Sequence, residues 1–146
     1  MIILDMNQIS VASLMMNMHM AKADTVDEDM VRHMILNSVR MYRMMFNEDY
    51  GEVVLTWDSR HYWRRDYFPE YKLNRKMGRE KDTKDWDQIY GVLNKIKDEM
   101  RLNLPYKYLE VYGAEADDII AVLCKKYQSE NIVIVSADKD FIQLHK

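Results

Sequence analysis

The sequence predicts an α/β sandwich, with helices packed on a central, mainly parallel sheet. Short apolar runs alternate with longer segments of helical periodicity, and each of those runs ends at or just before an acidic residue. No internal repeat, low-complexity tract or Pro/Gly-rich linker divides the 146 residues, a length that suits one domain with a real core.

Met1–Met6 is the first apolar run, read as a buried strand closed by Asp5. Helical spacing follows from about Ser10 to Met20. Thr25 is the expected N-cap of the next helix, with Asp27, Glu28 and Asp29 in its electropositive first turn. Met30, Val31, Met34, Ile35, Tyr42, Met45 and Phe46 recur at helical spacing up to Gly51 and read as core, not as a cofactor box. Val53–Trp57 is a second strand, closed by Asp58. Trp86, Ile89, Leu93, Ile96 and Met100 mark an amphipathic helix that Pro105 stops. Tyr108–Tyr112 is a third strand, Glu115–Gln128 a helix with an acidic first turn, and Ile132–Ser136 a fourth strand followed by Asp138 and Asp140.

Composition narrows the function classes. Hydrophobic residues make up 48% of the chain, which excludes wholesale disorder. No apolar run is long enough to span a bilayer, and Met1 is not followed by a secretory signal pattern. A single cysteine, Cys124, provides neither an internal disulfide nor a cysteine zinc site; it reads as a packed small hydrophobe in a reducing cytoplasm. The net charge of −3 averages two unlike parts. Residues 59–84 carry nine lysines and arginines against four acids, a balance of +5, whereas the remainder holds 12 basic and 20 acidic residues, −8. A basic element on an acidic body suits a protein that meets a polyanion with one part and holds cations with the other.

The acids have a common position. In a parallel sheet the strands' carboxyl ends share one edge, where such folds bind ligands. Asp5, Asp58, the Glu115/Asp117/Asp118 group and the Asp138/Asp140 pair all follow strands. Taken singly, each has a plain structural reading: a helix N-terminus, a turn cap, a turn residue. Taken together, seven carboxylates at one edge require positive charge to stay ionised. Oxygen-only donors point to Mg²⁺, with Mn²⁺ as a substitute, and such a site can hold two ions about 3.5–4 Å apart. Glu115 and Asp118 share a helix face, whereas Asp117 points elsewhere, so unequal roles are expected.

In residues 59–84 the cations can neutralise phosphates, and Tyr62, Trp63, Tyr67, Phe68 and Tyr71 could stack on unpaired bases. The alternative is a charged helical hairpin whose aromatics pack on the domain. His61 reads as a surface or packing residue. Arg64, Lys72 and Arg75 are the favoured nucleic-acid contacts, with Arg65 beside them.

IILDMN, LTWDSRHYWRRDYFPEYKLNR, GAEADDIIA and VIVSADKDFIQL together resemble the structure-specific 5′-nuclease superfamily of flap endonucleases and 5′–3′ exonucleases, above all the phage ribonuclease H-type members. The pieces run through nearly the whole chain in the family's order, and YFPEYKLNR with EADDII and SADKDF is a specific combination. The resemblance implies a three-layer PIN-like fold whose helical arch, residues 59–84, passes a 5′ single strand. It implies that Asp5, Asp58, Glu115, Asp117 and Asp138 serve one ion, that Asp138 and Asp140 serve a second, and that Asp118 is an additional acid. Arg64 and Lys72 match arch cations that contact the scissile phosphate. Family members usually continue into a helix–hairpin–helix region and further aspartates, whereas this sequence stops six residues after Asp140. The expected substrate is DNA with a 5′ end or flap, or RNA in an RNA–DNA hybrid, cut during replication in a bacterial or phage-infected cytoplasm. A C-terminal half or replication proteins are the expected partners. The rival readings are a freestanding PIN-type ribonuclease and a catalytically incomplete nucleic-acid-binding module.

Overall fold

A computed structural model of the chain describes residues 1–145. In chain order the elements are β1 (Ile2–Asp5), α1 (Met6–Ala21), α2 (Glu28–Tyr50), β2 (Val53–Trp57), α3 (Trp63–Tyr67), α4 (Leu73–Glu80), α5 (Trp86–Asn103), β3 (Lys107–Glu110), α6 (Ala116–Lys126) and β4 (Val133–Val135), then a 3-10 segment over Lys139–Leu144. The sheet order is β3-β2-β1-β4 and every pairing is parallel. The register sets Ile2 against Val53 and against Val133, so β1 and its neighbours end level with one another. None of the described helices is long and apolar enough to cross a membrane.

β1 and β2 are buried along their whole length, as expected of central parallel strands covered on both faces. Successive strand side chains point to opposite faces. Ile2, Leu4, Val53, Leu55 and Trp57 enter one large core with α1, α2 and α5. Ile3 and Val54, equally buried, lie outside that core and face the layer where α6 contributes Ala116, Ile119 and Ile120. The result is three layers.

The caps differ from the sequence reading. α1 starts at Met6, not near Ser10, because the Asp5 side chain accepts from Gln8 N at 3.3 Å and caps the helix directly at the strand's end. α2 is capped by Asp27 and not by Thr25: the Asp27 carboxylate accepts from Met30 N at 3.1 Å, and Glu28 and Asp29 occupy the first turn. The methionine stripe also divides. Val31 and Ile35 are buried and Tyr42 and Phe46 pack on the core, whereas Met30 and Met45 are 47% and 59% exposed. Neighbours on a helix lie about 100° apart, so only one of each pair 30/31 and 45/46 can face inward. The third strand is Lys107–Glu110, ending before Val111; the fourth helix–strand unit is shorter at each end than the pattern suggested.

Residues 59–84 stand apart from the core. α3 and α4 contain no buried residue, and the segment's backbone is fastened at its start, by Ser59 N donating to Ala114 O at 2.9 Å and Trp63 N donating to Gly113 O at 2.8 Å. Gly113 has φ +81, a left-handed conformation that favours glycine in the turn between β3 and α6.

Asp27→Ala should lower stability by about 1 kcal/mol, the usual cost of losing an N-cap, and Thr25→Ala by much less. Urea denaturation of both variants tests which residue caps α2; equal losses would contradict the assignment.

Candidate active site

The parallel sheet delivers Asp5, Asp58 and Asp138 to one edge from the ends of β1, β2 and β4, and α6 brings Asp117 in its first turn. Asp5 is 5% exposed. Its Oδ2 accepts from Ser136 Oγ at 2.8 Å, and Ser136 Oγ in turn accepts from Asp138 N at 3.1 Å, so one hydroxyl ties the ends of β1 and β4 together. Burial pushes the Asp5 carboxyl up from its ordinary range, against the hydrogen bonds from Ser136 and Gln8, with the Asp138 charge adding to the rise. Asp58 is also raised by burial, although Ala116 N at the start of α6 donates to its Oδ1 at 2.6 Å. Asn7 Oδ1 holds the Asp58 backbone by accepting its N–H at 3.2 Å.

Asp117 feels all of them. Its carboxyl is pushed up from 3.8 to about 6, first by burial and then by the charges of Asp5, Asp58, Asp138 and Glu115. Three acids from separate strand ends and two from the start of α6 therefore repel one another across a single edge. Among the described residues no ion pair is recorded for Asp5, Asp58, Asp117 or Asp138, and no three His, Cys, Asp or Glu side chains already stand close enough to clasp an ion.

Glu115 and Asp118 have cationic partners. Glu115 is 2% exposed; its Oε2 accepts from Arg64 Nη1 and from Tyr71 OH, each at 2.9 Å, and its Oε1 accepts from Lys72 Nζ. Asp118 accepts from Arg64 Nη2 at 2.7 Å and Nη1 at 2.9 Å, from Trp63 Nε1 at 3.1 Å and from Glu115 N at 3.0 Å. Burial opposes ionisation of Asp118, but these donors win and its carboxyl lies below the usual range. Burial likewise opposes the charge on Lys72, yet the Glu115 hydrogen bond leaves the ammonium above its ordinary value. Aromatic faces hold both cations: the Arg64 guanidinium lies 4.6 Å from the Trp63 ring centroid, and Lys72 Nζ lies 5.2 Å from Tyr62 and from Tyr71. Lys72 adopts φ +58, a left-handed backbone that costs a non-glycine residue about 1–2 kcal/mol. Such strain collects where a side chain must be aimed.

The structure thus gathers Asp5, Asp58, Glu115, Asp117 and Asp138, with Asp118, Arg64 and Lys72 at their side. Asp140 is exposed and donates its N–H to Asp138 Oδ1 at 2.9 Å; it is not among the main charges acting on Asp117. Arg65 sits 4.8 Å from the Tyr62 ring and makes no ion pair among the described residues, and Arg75 is exposed on α4. His61 stacks on Tyr112 and pairs with Asp66 at the surface, as the sequence reading expected. Ser136 and Asn7 escaped that reading because their role is to hold other residues in place. Trp63 and Tyr71, read as base-stacking candidates, donate to Asp118 and Glu115; their adjacency to Arg64 and Lys72 was the available signal.

With the geometry in place, the comparisons decide the family. Residues 2–146 match the family described as 5′-3′ exonuclease, N-terminal resolvase-like domain. The chain belongs to this family. It is 38% identical to the ribonuclease H of Enterobacteria phage T4 over 149 residues, covering 99% of this chain and 48% of that protein. It is 32% identical to a flap endonuclease of Vibrio vulnificus over 142 residues, covering 93% of this chain and 51% of the relative. The fold matches a solved T5 5′-exonuclease with bound divalent metal ions, at a TM-score of 0.74 and 17% identity over 100% of this chain and 52% of the other. A T5 flap endonuclease complex with DNA and metal ions aligns at a TM-score of 0.71 and 16% identity, over 99% of this chain and 51% of that one. The 5′-3′ exonuclease N-terminal domain seen here therefore spans about half the length of the relatives it matches.

The raised Asp117 carboxyl sets a pH dependence. Between 3.8 and about 6 the folded chain keeps a proton that the unfolded chain has released. The stability this group contributes is therefore present at low pH and is lost as pH rises through that window. In EDTA, the melting temperature of Asp117→Asn should exceed that of the parent by a margin that grows from pH 4 to pH 7. A margin independent of pH would show that Asp117 is not under this pressure.

Proposed function

We propose that this chain is the catalytic domain of a divalent-metal-dependent 5′ nuclease that hydrolyses phosphodiesters at DNA 5′ ends and flaps, or in RNA of RNA–DNA hybrids, during replication in a bacterial or phage-infected cell. The observation that carries the reading is the pressure on Asp117 from Asp5, Asp58, Asp138 and Glu115. Asp5, Asp58, Asp117 and Asp138, without an ion pair among the described residues and offering oxygen donors only, fit a hard divalent ion, Mg²⁺ or Mn²⁺. Asp5, Asp58, Asp117 and Asp138 would hold one ion, with Glu115 behind them, and Asp138 with Asp140 would serve a second. Bound divalent ions supply a lowered pKa for coordinated water and stabilise charge on a phosphate. The relatives named ribonuclease H and flap endonuclease, and the T5 structures with metal and DNA, support the same assignment.

The chain's own residues divide the remaining work. Residues 59–84 form the arch beside the strand ends, and their excess positive charge attracts the phosphate backbone. Arg64 and Lys72 bind the scissile phosphate, the former with a planar fork and the latter as a point charge. Both now rest on Glu115 and Asp118, so substrate phosphate exchanges one set of anionic oxygens for another. Trp63 and Tyr71 keep the two cations aimed at the acidic edge through that exchange. Asp118 does its work through Arg64 and the start of α6. Arg65 and Arg75, farther from the acids, contribute backbone attraction and register.

Single-turnover cleavage of a 5′-flap DNA in Mg²⁺ tests the reading, with the rest of the relatives' length supplied in cis to every variant. Asp58→Ala should abolish cleavage and leave DNA affinity unchanged or improved. Lys72→Ala should slow cleavage by about 10²–10³-fold, as losing one transition-state donor does, with a far smaller effect on affinity. Normal cleavage by Asp58→Ala, or a Lys72→Ala defect confined to affinity, would overturn it.

A further inference from the structure

Asp5, Asp58, Asp117 and Asp138 are held at the edge in different ways. Only Asp5 is buried; Asp58 and Asp117 are half-buried and Asp138 is exposed. Asp58 and Asp138 accept from backbone N–H groups, those of Ala116 and Asp140. Among the described residues, Asp5 alone of the four accepts from another side chain, the Ser136 hydroxyl. A backbone donor survives any substitution, whereas a hydroxyl does not. Ser136 is thus the one side chain whose loss changes how one of these carboxylates is held while every acid and cation stays in place.

The parallel register makes the contact. Leu4 lies opposite Val135, which brings Asp5 and Ser136 abreast at the next step. The Asp138 N–H donates to Ser136 Oγ at 3.1 Å, and the serine's own proton is turned to Asp5 Oδ2 at 2.8 Å. The contact to Asp138 N by itself is an ordinary hydroxyl turn. The bond to Asp5, across 131 residues of chain, is one that the turn does not need. On the other oxygen, Oδ1, Gln8 N donates at 3.3 Å. The terminal torsion of an aspartate is broad when left alone, and one donor at that distance fixes it poorly. With donors on both oxygens the carboxylate has one orientation, and each oxygen still keeps a lone pair.

We propose that Ser136 is a positioning residue, which acts through Asp5 to set the affinity of the acidic edge for a divalent ion. A ligand already aimed has no ordering cost to meet when the ion arrives, and losing the hydrogen-bond partner behind a ligand typically weakens metal binding by about 10–100-fold. The same hydroxyl anchors Asp138 N, so one atom places acids from β1 and β4 together. The proposal rests on the metal reading given above and adds the neutral residue on which that site depends.

The test titrates Mn²⁺ into the 146-residue chain and follows the free ion by electron paramagnetic resonance, so neither substrate nor cleavage enters the result. Ser136→Ala removes the hydroxyl, Ser136→Thr keeps it, and Ser136→Val has threonine's shape with a methyl group instead. Ser13→Ala removes another buried hydroxyl, bonded within α1 to Ile9 O at 2.9 Å. The parent, Ser136→Thr and Ser13→Ala should bind Mn²⁺ equally, and Ser136→Ala and Ser136→Val about 10–100-fold more weakly. A hydroxyl that only holds the fold would lower the melting temperature in EDTA and leave Mn²⁺ affinity unmoved. Parent-like affinity in Ser136→Ala and Ser136→Val, binding by Ser136→Thr as weak as by Ser136→Val, or an equal loss in Ser13→Ala overturns the proposal and leaves the nuclease reading standing. A parent chain that takes up no Mn²⁺ overturns both.

Discussion

Like charge crowded at the carboxyl ends of parallel strands is the constraint on which the arrangement of this molecule turns. Because β1, β2 and β4 run the same way, the acids that close them cannot avoid one another. Burial removes the water that would screen them, and Asp117 records the outcome as a carboxyl raised to about 6. A fold that accepts this cost at one edge, while its interior is an ordinary aliphatic core, has concentrated its frustration where a cation can relieve it.

The basic segment answers half of that charge. Arg64 spans Glu115 and Asp118, and Lys72 covers the other oxygen of Glu115. Those two acids sit at the start of α6, so the same contacts fasten the segment to the helix whose first residue, Ala116, also donates to Asp58. Anchoring, helix capping and charge compensation share one set of atoms. The other half, Asp5, Asp58, Asp117 and Asp138, makes no ion pair among the described residues, although the Lys72 charge acts on Asp5 and Asp58 from a distance. The edge is thus divided between an internal guanidinium and ammonium on one side and room for external cations on the other. On the proposed nuclease reading, a phosphate entering between them would meet opposite charge from both.

Much of this was legible in the chain. Apolar runs such as IILD and VVLTW read as strands because central parallel strands are buried on both faces, and the acids closing them pointed to one edge of the sheet without any structure. The segment 59–84 was recognisable from charge and the scarcity of aliphatics. Other features depend on three-dimensional choices that spacing does not encode. Thr25 and Asp27 are both good N-caps, and only the folded chain shows that Asp27 takes the position, by accepting from Met30 N. Met30 and Val31 are both apolar, and only the direction of α2 on the sheet selects Val31 for the core. That Glu115 and Asp118 would be claimed by Arg64 and Lys72 could not be read either, since the partners lie more than forty residues apart.

The account stands or falls on where a divalent ion goes. Paramagnetic broadening of backbone amide signals by substoichiometric Mn²⁺ reports that location directly. The account predicts that signals of residues around Asp5, Asp58, Asp117 and Asp138 broaden first and together. Broadening centred instead on the surface acids Glu28, Asp29 and Glu99, or spread evenly over the chain, would contradict it.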